Sequence, residues 1–285
     1  MTEQIVYLNG EFIPLSEARV SVFDRGFLFG DAVYEVIPAY GGHLFRLEEH
    51  LTRLDNSLRG IRMQNPLSHQ EWRALLERLG ECCPDEDQSL YLQVTRGVGN
   101  KRDHGIPKAI QPTVFAMANP MNRPGPEVYA EGISVVTLDD IRWQLCNIKA
   151  TTLLANVLAR SQASDEGAAE AILVRDGKAL EGAASNLFII NSGLIITPPK
   201  SPLLLPGITR DLVLELADDA GIPWCEADIH VTELAGADEI WMTSSTKEIL
   251  PVTMLNGNPV GDGKPGPHWE HMTTLYRAYI QLVRG

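Results

Sequence analysis

The sequence predicts an α+β fold in two domains. Three observations lead there. Short apolar runs alternate with tight-turn dipeptides, two strongly amphipathic helices interrupt the strands of the first half, and a proline-rich break near residue 120 separates that half from a second series of strands and helices. The length of 285 residues agrees, at about 150 residues per domain. The expected boundaries are an N-terminal domain over 1–119, a linker over 120–125 and a C-terminal domain over 126–285.

The elements follow in order. Ile5-Val6-Tyr7-Leu8 and Glu11-Phe12-Ile13 flank Asn9-Gly10, a strong hairpin signal. A glycine-punctuated stretch follows, and its second half alternates Val33, Glu35 and Ile37 against Tyr34 and Val36, which suits a strand closed by Gly41-Gly42. Leu47, Leu51, Leu54 and Leu58 recur at helical spacing over 46–60, with Gly60 as a stop signal. Trp72, Leu75, Leu76 and Leu79 do the same over 69–81. Strands are expected at 90–94 and 112–118, with a polar loop between them. Asn119 to Pro126 holds three prolines and a glycine, so it continues neither helix nor central strand. The second half then reads as strand 132–138, helix 152–165, strand 170–174, an Asp176-Gly177 turn, strand 186–190, helix 209–219, strand 239–243 and a closing helix over 267–283.

Composition narrows the function. Lys and Arg number 24 against 37 Asp and Glu, a net charge of −13, which disfavours a nucleic-acid binder that must neutralise phosphates. No run of about 18 apolar residues spans a bilayer, and the N-terminus lacks the pattern of a secretory signal. Four cysteines without a CxxC pair give neither a disulfide framework nor a zinc site, so no metal is expected and the cytoplasm is the default compartment.

Four features could carry chemistry. Lys149 is the only charged residue in Leu145–Ala159, LCNIKATTLLANVLA, in a chain with seven lysines. Apolar surroundings favour the neutral amine, which Schiff-base chemistry needs, although a lysine whose stem lies along apolar surface reads the same locally. Glu181 precedes four small residues and a strand, the pattern of close backbone approach to something bulky. It equally fits a turn glutamate in water. Pro206-Gly207-Ile208-Thr209-Arg210-Asp211 enters a helix whose free amides could bind an anion, Thr243-Ser244-Ser245-Thr246 offers hydroxyls after a strand, and Arg53 lies on the first long helix. A helix cap, a polar turn and a surface charge are their plain alternatives. Arg102-Asp103-His104 could aim two cationic groups at one carboxylate, or be a solvated loop with Asp103 offsetting its charge.

Taken together, these segments resemble the class IV aminotransferases, the fold-type IV pyridoxal phosphate enzymes, and most of all their D-amino-acid branch. The resemblance runs through nearly the whole chain in the family's order: DRGFLFGDAVYEV, EEHLTRL, VTRG with RDH, DIRWQLCNIKATTLLANVLA, EGAASNLF, GITRD and TSSTKEILPV. It implies a smaller N-terminal α/β domain and a larger, β-barrel-like C-terminal domain with helices that binds pyridoxal 5'-phosphate. It implies that Lys149 carries the cofactor and moves the proton, and that Glu181 bonds the pyridine nitrogen. Arg53, Ile208, Thr209, Ser244 and Ser245 would hold the phosphate, Ile208 through its amide, and Leu205 would pack on the ring. Tyr34, Arg102 and His104 would bind the substrate carboxylate, the last two from the second subunit of a homodimer. The implied activity is ping-pong transfer of an amino group between D-amino acids and 2-oxo acids. A branched-chain L-aminotransferase and aminodeoxychorismate lyase are the alternatives on the same fold. The chain departs from the pattern at Ala183 and Ala184, where similar enzymes often carry serines, and at Asp103 inside the carboxylate trap.

Overall fold

The computed structural model describes residues 3–285. The chain forms two compact units: one runs to Asn122 and takes in Ile148–Leu153 and Arg284, and the other holds Arg123–Asn147, Leu154–Val283 and Gly285. The break at Asn122–Arg123 falls inside the proline-rich stretch. A single cut there does not describe the chain, however. Lys149, expected with the C-terminal domain, belongs to the first unit, because Ile148–Leu153 lies along a strand of that unit. Tyr34 N donates to Lys149 O at 3.0 Å, Thr151 N to Ala32 O at 3.0 Å, and Val33 bridges Ala150.

The first unit holds strands β1 (Ile5–Leu8), β2 (Glu11–Pro14), β3 (Ala32–Tyr40), β4 (His43–Leu44), β5 (Gln88–Thr95) and β6 (Thr113–Pro120), with helices α1 (Arg25–Phe29), α2 (Leu47–Gly60) and α3 (His69–Glu81). The strands make one antiparallel sheet in the order β2-β1-β6-β5-β3-β4. Its core joins the leucine stripe of α2 and the Trp72, Leu75, Leu76 and Leu79 stripe of α3 to Val33, Ile37, Leu90, Leu92 and Val94. Each such side chain contributes about 1.5–3 kcal/mol on burial. A capping box fixes the start of α3: Ser68 N donates to Glu71 Oε2 at 2.7 Å and Glu71 N to Ser68 Oγ at 3.3 Å.

Helix α1 was not expected. It is a single turn containing Gly26, closed by Gly30 in the left-handed region, so it has no hydrophobic period to read. Asp24 makes it possible. Its Oδ1 accepts from Gly26 N at 2.7 Å, and its Oδ2 accepts from Thr95 Oγ1 at 3.0 Å and Thr113 Oγ1 at 2.6 Å, which bolts the turn to β5 and β6. A Cβ on Gly26 would lie 2.5 Å from Thr95 Cγ2, so only glycine fits this approach.

The second unit holds α4 (Pro126–Glu131), β7 (Ile133–Asp139), α5 (Leu154–Asp165), β8 (Glu170–Arg175), β9 (Lys178–Gly182), β10 (Asn186–Asn191), β11 (Leu194–Thr197), α6 (Ile208–Asp219), β12 (Trp224–Glu226), β13 (Ile229–His230), α7 (Val231–Leu234), β14 (Glu239–Ser244), β15 (Glu248–Leu255), β16 (Asn258–Pro259) and α8 (Pro267–Arg284). Six strands follow one another as β10-β14-β15-β7-β8-β9. The pairing of Asn186 with Glu181 then brings β9 back to β10 and closes a barrel-like ring. Val135, Ile172, Leu187, Ile189, Ile240, Met242, Leu250 and Val252 share its core. Among the described residues no helix is long and apolar enough to cross a membrane.

Candidate active site

In the first unit, Lys149 is held by its backbone from two sides. Its carbonyl accepts from Tyr34 on β3, and its amide donates to Ser57 Oγ of α2 at 3.1 Å. Ile148 and Ala150 are buried on either side, which leaves the half-buried lysine side chain one direction. Its Nζ lies 4.3 Å from the centroid of the Tyr34 ring. Two of the sequence candidates, Lys149 and Tyr34, are therefore together.

Arg53 is not a surface charge. It is 6% exposed, and Nε and Nη2 donate to Glu35 Oε1 and Oε2 at 2.8 and 2.7 Å. His50 Nδ1 lies 2.8 Å from Glu35 Oε2. Burial alone would raise the Glu35 carboxyl, but the charge and hydrogen bonds of Arg53 hold it down at about 2. Burial also lowers the His50 pKa, so the imidazole is kept neutral. Sequence reasoning missed Glu35 and His50. Glu35 sits in phase with the buried Val33 and Ile37, and His50 adjoins the α2 leucine stripe, so the strand and helix periods carried the signal.

Arg102 and His104 lie on an exposed loop between β5 and β6. Both approach the Phe29 ring of α1, the Arg102 guanidinium carbon at 5.5 Å and the His104 ring at 5.0 Å, centroid to centroid. Asp103 points elsewhere: it pairs with Lys101 at 2.9 Å and accepts from Gly105 N.

In the second unit, Glu181 is a strand residue on β9, 4% exposed, not a turn glutamate in water. Leu205 N donates to its Oε1 and Oε2 at 3.2 and 3.1 Å, Asn186 Nδ2 donates to Oε2 at 3.2 Å, and Arg142 Nη1 pairs with Oε1. Arg142 also donates to Asp140 through Nε at 2.9 Å and Nη2 at 3.0 Å, and Arg175 reaches Asp140 at 3.1 Å. Burial pushes the Glu181 carboxyl up to about 7 against the pull of Arg142. Arg142, by contrast, is held more firmly in its charged form. The two shifts look opposed, since one pair should favour both charges. Arg142 is stabilised by two carboxylates, whereas Glu181 has a share in one guanidinium, so burial prevails only at the glutamate. Arg142 and Asp140 were not singled out in the sequence, because a pair two residues apart reads as local charge and the contacts that give it a task, Glu181 and Arg175, lie more than 30 residues on.

Asn186 also ties Glu181 to the start of α6. Its Nδ2 donates to Leu205 O at 2.8 Å, and a Cβ on Gly207 would lie 1.9 Å from its Oδ1, so only glycine fits there. Gly207 brings no side-chain cap to α6, and the first-turn amides, those of Ile208 and Thr209 included, have no partner within the helix. Leu205 thus has a backbone task at Glu181 that its side-chain type did not announce. Ser244 ends β14 and Ser245 opens the turn after it, both half-buried. Ala183 is buried and donates through its amide to Glu170 at 3.2 Å, whereas Ala184 is exposed.

The amino-transferase class IV profile matches residues 32–255. The chain belongs to the class IV aminotransferases. Among their curated members, the D-alanine aminotransferase of Bacillus licheniformis is 40% identical over 275 residues, covering 96% of both chains. Among solved class IV enzymes, the branched-chain amino acid aminotransferase of Escherichia coli superposes with a TM-score of 0.91 at 28% identity, over 98% of this chain and 95% of that one. A hypothetical aminotransferase of Mycobacterium tuberculosis, solved in its PLP-bound form, gives 0.83 at 26% identity over 97% and 98%.

Proposed function

We propose that this class IV aminotransferase moves an amino group between D-amino acids, such as D-alanine and D-glutamate, and 2-oxo acids, such as pyruvate and 2-oxoglutarate, with pyridoxal 5'-phosphate as cofactor and ping-pong kinetics. The observation that carries the reading is the 40% identity to a D-alanine aminotransferase over nearly the whole of both chains, against 28% to a branched-chain enzyme of the same fold.

The residues fit the cofactor. A buried carboxyl whose oxygens are aimed by an amide, an asparagine and an arginine suits a ring nitrogen that carries a proton, and an uncapped 12-residue helix with no side chain at Gly207 suits a phosphate. When bound, pyridoxal phosphate supplies an aldehyde that takes up the amino group and a ring that accepts the electron pair left at the substrate Cα. Lys149 holds the cofactor through its amine and moves the proton from Cα. Its Nζ stands over the Tyr34 face, 4.3 Å from the ring centroid, which gives the amine a fixed neighbour on that side. Glu181 would keep the ring nitrogen protonated, its carboxyl held in place by Leu205 N, Asn186 Nδ2 and Arg142. Leu205 packs on the ring. Ile208 through its amide, Thr209, Ser244, Ser245 and Arg53 hold the phosphate, with Glu35 fixing the Arg53 fork. Tyr34, Arg102 and His104 bind the substrate carboxylate.

The protein works as a cytoplasmic homodimer in which Arg102 and His104 serve the partner. Exposed apolar residues support a dimer: Val22, Phe23, Phe27, Val98 and Ile106 in the first unit, and the Leu154, Val157 and Leu158 stripe of α5 in the second. A panel of D- and L-amino donors with 2-oxoglutarate tests the activity. Transfer from D-alanine with little from L-leucine or L-valine is expected. Transfer from the L-donors alone would point to a branched-chain enzyme, and pyruvate release from aminodeoxychorismate without an acceptor to a lyase.

A further inference from the structure

Arg25 is buried, 5% exposed, and the reaction as described gives it no task. Its guanidinium is nevertheless fully directed. Nε donates to Asp31 Oδ2 at 2.9 Å, and the other two nitrogens reach three successive carbonyls of the polar loop: Nη1 donates to Asp103 O at 2.6 Å and Gly105 O at 3.2 Å, and Nη2 to His104 O at 3.3 Å. The same guanidinium lies 4.9 Å from the centroid of Phe29, the ring that Arg102 and His104 approach. Asp31 is itself fixed by Arg96, through Nε at 2.7 Å and Nη2 at 2.9 Å. Asp24 anchors the helix turn that carries Arg25 and Phe29.

This arrangement has a consequence for the loop. Between Thr95 and Thr113 the chain has no helix or strand beyond a single bridge of Val98 to Asp24, and 100–105, past that bridge, is exposed. Such a segment samples many conformations unless something holds its carbonyls. One planar guanidinium with five donors can hold three carbonyls at fixed angles, which the single ammonium of a lysine cannot do. We propose that Arg25 is a positioning residue for the substrate carboxylate: it clamps the backbone of Asp103–Gly105, while Phe29 gives the Arg102 and His104 side chains a common platform, so that both cationic groups are preset for the carboxylate before substrate arrives. This rests on the reading of Arg102 and His104 as carboxylate ligands. Arg25 touches neither substrate nor cofactor in this scheme and acts through the loop.

The test uses the holoenzyme with Arg25→Met, which keeps the stem, and Arg25→Lys, which keeps the charge and serves if the first variant folds poorly. Arg25→Met is expected to raise KM for D-alanine roughly 10- to 100-fold, the scale of losing hydrogen bonds to a charged group. The effect on kcat should be small and the resting visible band unchanged. Arg25→Lys should move KM the same way by a smaller factor. In an Arg102→Ala/His104→Ala background, Arg25→Met should add nothing to KM. Trypsin should cut the Arg25→Met loop, after Lys101, Arg102 or Lys108, severalfold faster than the parent's, a readout independent of catalysis. An unchanged KM or cleavage rate in both variants, beside a clear KM effect of Arg102→Ala, overturns the clamp and leaves the proposed function standing. An Arg25 effect of equal size in the double-alanine background also overturns it. No KM effect of Arg102→Ala itself removes the carboxylate trap and the clamp together.

Discussion

Replacing Glu35 by glutamine separates the first unit's buried charge cluster from its packing. Glu35 is fully buried and accepts two hydrogen bonds from Arg53 and one contact from His50. Its carboxyl sits at about 2 in the folded protein against 4.5 as a free side chain. That depression corresponds to stability of order 3 kcal/mol, at about 1.36 kcal/mol per pKa unit. The sign is that of a lowered acid: the contribution is complete above about pH 4.5 and is lost as pH falls toward 2. Glu35→Gln removes the charge but leaves Arg53 buried, and breaking a buried pair from one side costs about 3–5 kcal/mol. The two routes therefore agree in size. Urea unfolding from pH 7 down to pH 3 provides the assay. The variant should lose about 3 kcal/mol at pH 7 through a lower midpoint at unchanged slope, and its stability should fall less than the parent's on acidification. Because Glu35 fixes the fork of Arg53, the variant should also release pyridoxal phosphate faster on dialysis. A loss below about 1 kcal/mol, with parent and variant keeping parallel acid profiles, would refute the reasoning.

Lys149→Ala should abolish the visible band of the bound cofactor and nearly all transfer, since proton transfer alone is commonly worth about 100- to 10,000-fold. Borohydride reduction of the parent followed by peptide mapping should place the label on Lys149. Glu181→Gln should retain cofactor but slow the single-turnover rate with D-alanine. In cofactor-free protein, a carboxyl raised from 4.5 to about 7 makes folding less favourable as pH climbs through that window, and the glutamine variant should lose that slope in urea titrations at pH 5 and 8. Mixing inactive Lys149→Ala with Arg102→Ala/His104→Ala, whose own turnover is confined to high D-alanine, should restore activity at low D-alanine under subunit exchange, one intact site per mixed dimer. Absence of recovery after demonstrated exchange would assign the loop to its own subunit.

The long periodic elements were legible in the sequence: α2, α3 and β1 fall where their leucine stripes and the Asn-Gly turn put them. Lys149 also stands out in the sequence, as the lone charge in a fifteen-residue stretch, and the structure sets it beside Tyr34, while its chemical role belongs to the proposed function. What escaped depends on distant partners. Helix α1 has too few residues for a period and is made by Asp24 bonding to two threonines that lie 71 and 89 residues away. Arg25 and Arg142 look like ordinary surface charges until the fold brings Asp31, Gly105 and Glu181 into contact with them, whereas Glu35 lies in phase with buried Val33 and Ile37 and lacked only its partner Arg53. Glu181 was singled out with two readings open, and the structure decides between them: its small neighbours allow β9 to pair with β10 at Asn186, which buries the carboxyl and removes the turn glutamate in water.

The central claim, that the chain performs a D-specific amino transfer in two separable halves, meets its most direct test in the half-reaction. The holoenzyme is mixed with excess D-alanine and no acceptor, and pyruvate is counted per subunit while the visible spectrum is followed. The account predicts one pyruvate per subunit, a single spectral conversion reversed by adding 2-oxoglutarate, and no such conversion with L-alanine on the same time scale. Pyruvate accumulating past one per subunit without an acceptor, or conversion by L-alanine in place of D-alanine, would contradict it.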